Sequence, residues 1–249
     1  MLLEGKNAIV YGGGGAMAGA VARAFAREGA TVHLVGRTLA KLEQVAADIE
    51  AAGGHASVAV VDAYDADAVN DHLASIEGRV DLTFNGVSVR EKQNIPVVEL
   101  AVDDFVRPVE DAARTNFATA TAVARRMIEQ GGGGAILMLS SSAARESGIE
   151  MGGFSLACAA IECFTRTLAG EVGKHGIRVL ALRPNFTPES HPDWVNTEDG
   201  SLDHLTVGTA LGRLPRLAEV AGAAVFAVSD TAGAMTGSVL NLSCGAVID

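Results

Sequence analysis

The chain has 249 residues, is 49% hydrophobic and carries a formal net charge of −11, which suits one large α/β domain over residues 1–249 with no linker or composition break. The acidic balance and the absence of any Lys/Arg run argue against nucleic acid and anionic membranes as partners. No apolar run approaches the ~18 residues of a membrane span and none of signal length follows Met1, so a cytoplasmic protein is expected.

The first unit organises the rest. Ala8 to Tyr11 read as a short buried strand and Gly12 to Gly15 as a turn, while Val21, Ala22, Phe25 and Ala26 recur at helical spacing opposite Arg23, Arg27 and Glu28. Gly29 ends that helix, and Thr31 to Val35 form a second strand that stops at Gly36, Arg37 and Thr38, which completes a β-α-β unit. A turn of this kind binds phosphate, because uncapped amides at the helix N-terminus point outward with the helix dipole behind them. Gly13, Gly15 and Ala18 fit the dinucleotide pattern G-x-G-x-x-A, although four consecutive glycines satisfy several registers. Arg37, with no acid nearby, favours the 2′-phosphate of NADP over the ribose hydroxyls of NAD, the alternative being a solvated surface charge.

Thr38 is placed to cap a helix with Leu39, Leu42, Val45, Ala46 and Ile49 on its apolar face, and Gly53-Gly54 stop it. A third strand, Ala56 to Val61, ends at Asp62, and Asp65 caps a helix that turns Val69, Leu73 and Ile76 inward. Strand four, Val80 to Phe84, leads to Asn85-Gly86 at the carboxyl edge where ligands of doubly wound sheets lie; Asn85 is either a ribose contact or a turn residue. Residues 90–108 read as irregular, followed by a helix from about Ala112 to Gln130 with Asn116 in its first turns, an unfavourable helical residue. Strand five, Ala135 to Leu139, precedes Ser140 to Ser142. A helix from about Ser155 to Lys174 supplies Leu156, Ala159, Ile161, Phe164 and Leu168, and strand six is Ile177 to Leu182. After Pro184 a loop of roughly 25 residues holds Glu189, His191, Trp194 and His204 and is a candidate lid. A helix over Leu217 to Val228 and a strand over Ser238 to Leu242 close the chain. Cys158, Cys163 and Cys244 are odd in number and lack metal-ligand spacing, which suits reduced thiols and no metal site.

Read together, these segments resemble the short-chain dehydrogenase/reductase family over the whole chain from Leu3 to Asp249, most closely in GIRVLALRP and in the stretch from Leu211 to the end. The resemblance implies a single Rossmann-like domain, a doubly wound seven-stranded parallel sheet, that binds a small-molecule substrate and assembles as homodimers or homotetramers partly through the long helices and last strand. It implies a nicotinamide cofactor held by Gly12, Gly14, Gly15, Met17, Arg37, Asp62, Ala63, Asn85, Gly86 and Pro184, with Asp62 at the adenine. Ser141 matches the family's active-site Ser, and Asn116 the helix Asn that holds a proton-relay water. The family's Tyr-x-x-x-Lys pair is absent: Phe154 stands where Tyr belongs and Cys158 where Lys belongs. Ala16 and Ala18 replace two glycines of the turn, and Asn185 replaces the Gly after Pro184.

These departures bear on the chemistry. Reduction of a ketone develops an alkoxide that the family's Tyr protonates while Lys lowers that phenol's pKa. Phe154 has no proton to give, and loss of a positioned acid costs on the order of 10² to 10⁴ in rate. Two functions are therefore expected. One is an NADP(H)-dependent oxidoreductase with non-standard acid catalysis that reduces an activated C=O, C=N or C=C acceptor, with Ser141 on the developing charge and Glu150, Glu189 or His191 as proton sources. The other is a catalytically inactive dinucleotide- or ligand-binding member acting as sensor or partner subunit. In non-redox chemistry Cys158 would be a nucleophile, against its reading as a buried inert thiol.

Overall fold

Short runs rich in Val, Ile and Leu, buried on both faces, are what a parallel sheet between helical layers requires. The computed structural model describes residues 1–146, 150–191 and 202–249, the side chains of residues 203 and 204 aside. The strands are β1 (Asn7–Tyr11), β2 (Thr31–Gly36), β3 (His55–Val60), β4 (Leu82–Asn85), β5 (Gly134–Leu139), β6 (Ile177–Pro184) and β7 (Ser238–Leu242). They form one parallel sheet in the order β3-β2-β1-β4-β5-β6-β7. The main helices are α1 (Ala16–Arg27), α2 (Leu39–Ala51), α3 (Ala66–Ser75), α4 (Val102–Gln130), α5 (Gly153–Val172) and α6 (Leu217–Val228).

Alternation along β1 divides the core. Ala8 and Val10 face a cluster with Phe25 of α1, Leu42 of α2 and Val220 of α6, while Ile9 and Tyr11 face one with Val69 of α3, Val123 of α4 and Ile161 of α5. Phe25 and Phe84 are fully buried, each contributing about 1.5–3 kcal/mol from the area removed from water. The doubly wound seven-stranded sheet expected from the sequence is the fold observed.

Several boundaries differ from expectation. Helix α4 begins at Val102, ten residues earlier than the sequence indicates, so Asn116 lies mid-helix. Asp103 and Asp104 in its first turn complement the helix dipole, and the buried Pro108 fits the α5 crossing: a Cβ added at Gly153 would lie 2.8 Å from its Cγ. Packing overrides the proline there. Strand β4 starts at Leu82, because the Gln130 side chain occupies the Val80 backbone, donating to its C=O at 2.6 Å and accepting from its N–H at 3.0 Å. Strand β3 starts and ends one residue early and, as an edge, is half exposed. Asp65 caps α3 as expected, accepting from the Asp67 and Ala68 N–H groups at 3.0 Å each, whereas the Thr38 side chain makes no capping bond. Leu39 and Leu156, expected inside, are 46% and 47% exposed.

A half-buried histidine pair under β2 and α3 makes stability pH-dependent. His33 Nδ1 lies 2.8 Å from Ser57 Oγ, while His33 Nε2 and His72 Nδ1 are buried without a partner. Burial lowers both histidine pKa values, and the charge of His33 lowers that of His72 further. The fold therefore holds fewer protons than the unfolded chain just below the ordinary histidine pKa of about 6.5. The stability is fully present above that pH and is lost as pH falls through the depressed values. Urea unfolding at pH 7.5 and 5.5 should show a steeper loss for the native chain than for a His33→Gln/His72→Gln variant; equal losses would refute this.

Candidate functional site

The sheet order reverses between β1 and β4, which opens a crevice at the carboxyl edge. Register brings the edge residues together: Tyr11 pairs with Val35 and Asn85, Asn85 with Met138, and Leu139 with Leu182. The turn after β1 is fixed by Gly13 N–H to Val35 O at 3.0 Å and Gly15 N–H to Gly12 O at 2.8 Å. Gly12 has φ +74°, and an added Cβ would come 2.5 Å from Gly86 O, so the two glycines let β1 and β4 close on each other. Ala18 closes the same contact, since a Cβ on Gly86 would sit 2.9 Å from the Ala18 methyl. Gly15 is the N-cap of α1 and offers no side-chain bond to its first amides, and no acid occupies the first turn. The result is an unblocked, positively polarised helix end beside Gly14 and Gly15, with Met17 half-buried against the core. A pyrophosphate fits this cradle.

The adenosine side follows along β2, β3 and β4. Arg37 stands one residue beyond β2, exposed and with no ion pair or hydrogen bond among the described residues. Asp62, also exposed, accepts the Tyr64 N–H at 3.1 Å, and Ala63 is buried behind it. Asn85 behaves as a turn residue: its Nδ2 donates to Thr119 Oγ1 at 2.7 Å and its Oδ1 accepts from Val87 N–H at 3.1 Å. The side chain that the sequence offers to a ribose is thus engaged inside the protein. Arg90, two residues after the NGVS run, grips the buried Asp111 of α4 with its backbone N–H (2.8 Å), Nε (2.9 Å) and Nη2 (2.6 Å) and lies over the Tyr64 ring. Burial opposes the Asp111 charge, but the Arg90 bonds outweigh it and hold that carboxyl at about 2.

The chemical side is built from the ends of β5 and β6 and the start of α5. Ser141 is half-buried, its Oγ accepting from Ala143 N–H at 3.4 Å. Ser142 donates to Asn185 Oδ1 at 3.2 Å, which ties the serine turn to the loop after Pro184. Phe154 is in the first turn of α5 and Cys158 one turn later on the same face. The thiol is 3% exposed, and burial, followed by the Glu91 and Glu162 charges, pushes it up to about 12. It is a neutral group at physiological pH, which counts against nucleophilic use. Beneath it Glu162 accepts from Ser140 Oγ (3.0 Å) and from Arg183 Nε (2.7 Å) and Nη2 (2.8 Å), and Arg183 Nη1 reaches Asp249 at 2.6 Å.

Other expected groups are scattered. Asn116 donates to Ala112 O at 2.9 Å, and its buried Oδ1 has no partner; it lines a groove of about 390 Å³ between α4 and α5 with Phe117 and Phe164. His191 stacks on Phe186 at 5.0 Å with its Nδ1 2.9 Å from Ser190 Oγ, and Glu189 is exposed beside it. Glu150 adopts φ +59° and accepts the Asn94 N–H through its backbone O. Trp194 and the His204 side chain lie outside the described residues. The sequence reading missed the Glu162–Arg183 pair. A Glu inside an apolar helix face and an Arg within LALRP were the available signals for the pair.

Among the described residues no helix is long and apolar enough to cross a membrane. A family model described as enoyl-(acyl carrier protein) reductase matches residues 14–246. Gluconate 5-dehydrogenase of Gluconobacter oxydans is 30% identical over 99% of this chain and 96% of its own. A short-chain type dehydrogenase/reductase from Mycobacterium marinum has a TM-score of 0.86 at 26% identity, over 99% of this chain and 97% of its own. NAD+-bound xylitol dehydrogenase shares the fold, with a TM-score of 0.90 at 24% identity over 98% of this chain and 100% of its own. With the sheet order, the glycine cradle and this near full-length similarity together, the chain belongs to the short-chain dehydrogenase/reductase family, oxidoreductases that bind nicotinamide dinucleotides.

Proposed function

We propose that this protein is an NADP(H)-dependent oxidoreductase that reduces an activated C=O, C=N or C=C acceptor without the family's Tyr and Lys. The observation that carries the reading is the pair Phe154 and Cys158 on one face of α5 beside the serine turn, where Phe154 has no proton to give and Cys158, a neutral thiol, is no fixed positive charge. An acceptor whose product anion is delocalised, such as an enone, needs less help from an acid than an isolated ketone does. The family model's description as a reductase of enoyl groups agrees with such an acceptor.

A bound reduced nicotinamide supplies the hydride. The α1 amides and Gly14–Gly15 hold the pyrophosphate, Arg37 the 2′-phosphate, Asp62 and Ala63 the adenine, and Asn85, Gly86 and Pro184 shape the crevice. The Ser141 hydroxyl donates to the charge that develops on the acceptor. Asn116, with its orphaned buried Oδ1, holds a water. Phe117 and Leu156, 61% and 47% exposed on α4 and α5, support association into homodimers or homotetramers. A catalytically inactive, ligand-binding protein is the second reading, favoured by the neutral, buried Cys158 thiol.

Fluorescence titration with NADPH and NADH tests the cofactor assignment. Arg37→Glu should weaken NADPH about 10-fold or more, the loss of a charged hydrogen bond of about 1.5–3 kcal/mol, and leave NADH nearly unchanged. Equal weakening of both would remove the phosphate contact, and binding of neither would remove the cofactor itself. NADPH binding without turnover of any acceptor would favour the second reading.

A further inference from the structure

Asn185 is the first residue after β6, and its amide is fixed by the oxygen end alone. Oδ1 accepts from the Phe186 N–H at 2.7 Å and from Ser142 Oγ at 3.2 Å. Because the Phe186 backbone can only donate, it also decides which side-chain atom is the oxygen. The Asn185 backbone is held as well: its N–H donates to Leu242 O of β7 at 3.4 Å, and its C=O accepts from the buried Thr187 Oγ1 at 3.1 Å. Ser142 is 3% exposed in the turn that follows β5, so the amide cannot rotate without stranding a buried hydroxyl. Nδ2 points away from both donors, and among the described residues it makes no hydrogen bond, although Asn185 is only half-buried. The result is a rigid amide with its N–H groups unspent, placed where the serine turn of β5 meets the end of β6. That is the carboxyl edge at which ligands of doubly wound sheets lie.

We propose that Asn185 is a catalytic hydrogen-bond donor of this cleft, its Nδ2 stabilising, together with the Ser141 hydroxyl, the carbonyl oxygen of an α,β-unsaturated acceptor as charge develops there. This rests on the reductase reading above. Hydride addition forms a C–H bond at the β-carbon and breaks the C=C π bond, whose electron pair moves through the conjugated system to the carbonyl oxygen. Nδ2–H and Ser141 Oγ–H donate to that oxygen without giving up a proton, and water then protonates the anion. The enolate formed is a much weaker base than the alkoxide of an isolated ketone, so hydrogen bonds can carry its charge until solvent supplies the proton. Donors of this kind are effective because they are oriented before the reaction begins, and the two bonds to Oδ1 provide that orientation. Ser142 is a positioning residue: its hydroxyl acts through Asn185, holding Oδ1 and polarising the amide toward donation.

The test uses the full chain and follows single-turnover oxidation of bound NADPH by a conjugated enone. Asn185→Asp keeps an oxygen for Phe186 and Ser142 but turns the donor into an acceptor, and Asn185→Ala removes the amide. Both should slow the turnover about 10²- to 10³-fold, the loss of one donor to a developing oxyanion, while fluorescence titration gives an NADPH affinity within about twofold of native. Across enones of rising electron withdrawal the loss should shrink, because less charge remains on the oxygen; a merely structural defect would slow all of them alike. Ser142→Ala, which loosens the amide but keeps it, should cost less than either. Native turnover in Asn185→Asp, or a loss equal across the enone series, overturns the assignment while the reductase reading stands. A matching loss of NADPH affinity in both variants overturns it too, since Asn185 would then support the cofactor site. Failure of the native chain to turn over any enone sinks both.

Discussion

Glu162→Ala is expected to lower the unfolding free energy by about 3–5 kcal/mol, because it strands a guanidinium in the interior. Glu162 and Arg183 are each 4% exposed, and two of the Arg183 bonds, at 2.7 and 2.8 Å, end on the Glu162 carboxylate. Without it the arginine keeps, among the described residues, only Asp249, whose side chain is 44% exposed and so offers a screened, weaker partner. The Ser140 hydroxyl loses an acceptor as well. Urea denaturation should show a lower midpoint with the slope preserved. Glu162→Met combined with Arg183→Leu should recover most of the loss, since removing both charges removes the desolvation cost with them. A loss below about 1 kcal/mol for the single variant would mean that water reaches the pair in solution. The pair matters to the site because Glu162 is one turn from Cys158 and Arg183 immediately precedes Pro184, so it locks α5 to the end of β6.

Installing a phenol and an ammonium on α5 should have the largest effect on chemistry. Phe154→Tyr with Cys158→Lys is expected to raise reduction of a simple ketone by about 10²- to 10⁴-fold, the contribution of a positioned general acid. The new ammonium would lie near Glu91 and Glu162, whose charges act on position 158 and would offset its burial. Each single substitution should give far less, since the phenol needs the ammonium to reach a useful pKa and the two act as a unit. Steady-state assays with saturating NADPH and an unconjugated ketone check this. No gain from a folded double variant would show that the crevice has been reshaped beyond these two positions.

The sequence carried the sheet well because its strands are apolar runs between glycines, and parallel burial leaves little else for such runs to do. It failed where tertiary contacts outweigh local preference. Pro108 argues for a helix boundary, yet its ring is what packs at Gly153, and α4 runs through it. Asn85 reads equally well as ligand contact or turn residue, and its bond to Thr119, 34 residues later, is a tertiary contact that no local spacing encodes. Arg37, Asp62 and the glycines were legible because a β-α-β unit fixes where its loops must lie. The Glu162–Arg183 pair was not, because it joins a helix to a strand 21 residues later, which no spacing encodes.

The most direct measurement mixes the native protein, loaded with NADPH, with a conjugated enone and, separately, with its saturated ketone, and follows loss of the reduced nicotinamide in a single turnover. Oxidation of the cofactor by the enone, with the saturated ketone slower by about 10²-fold or more, is the result the proposed function predicts. Equal rates for the two acceptors would contradict it.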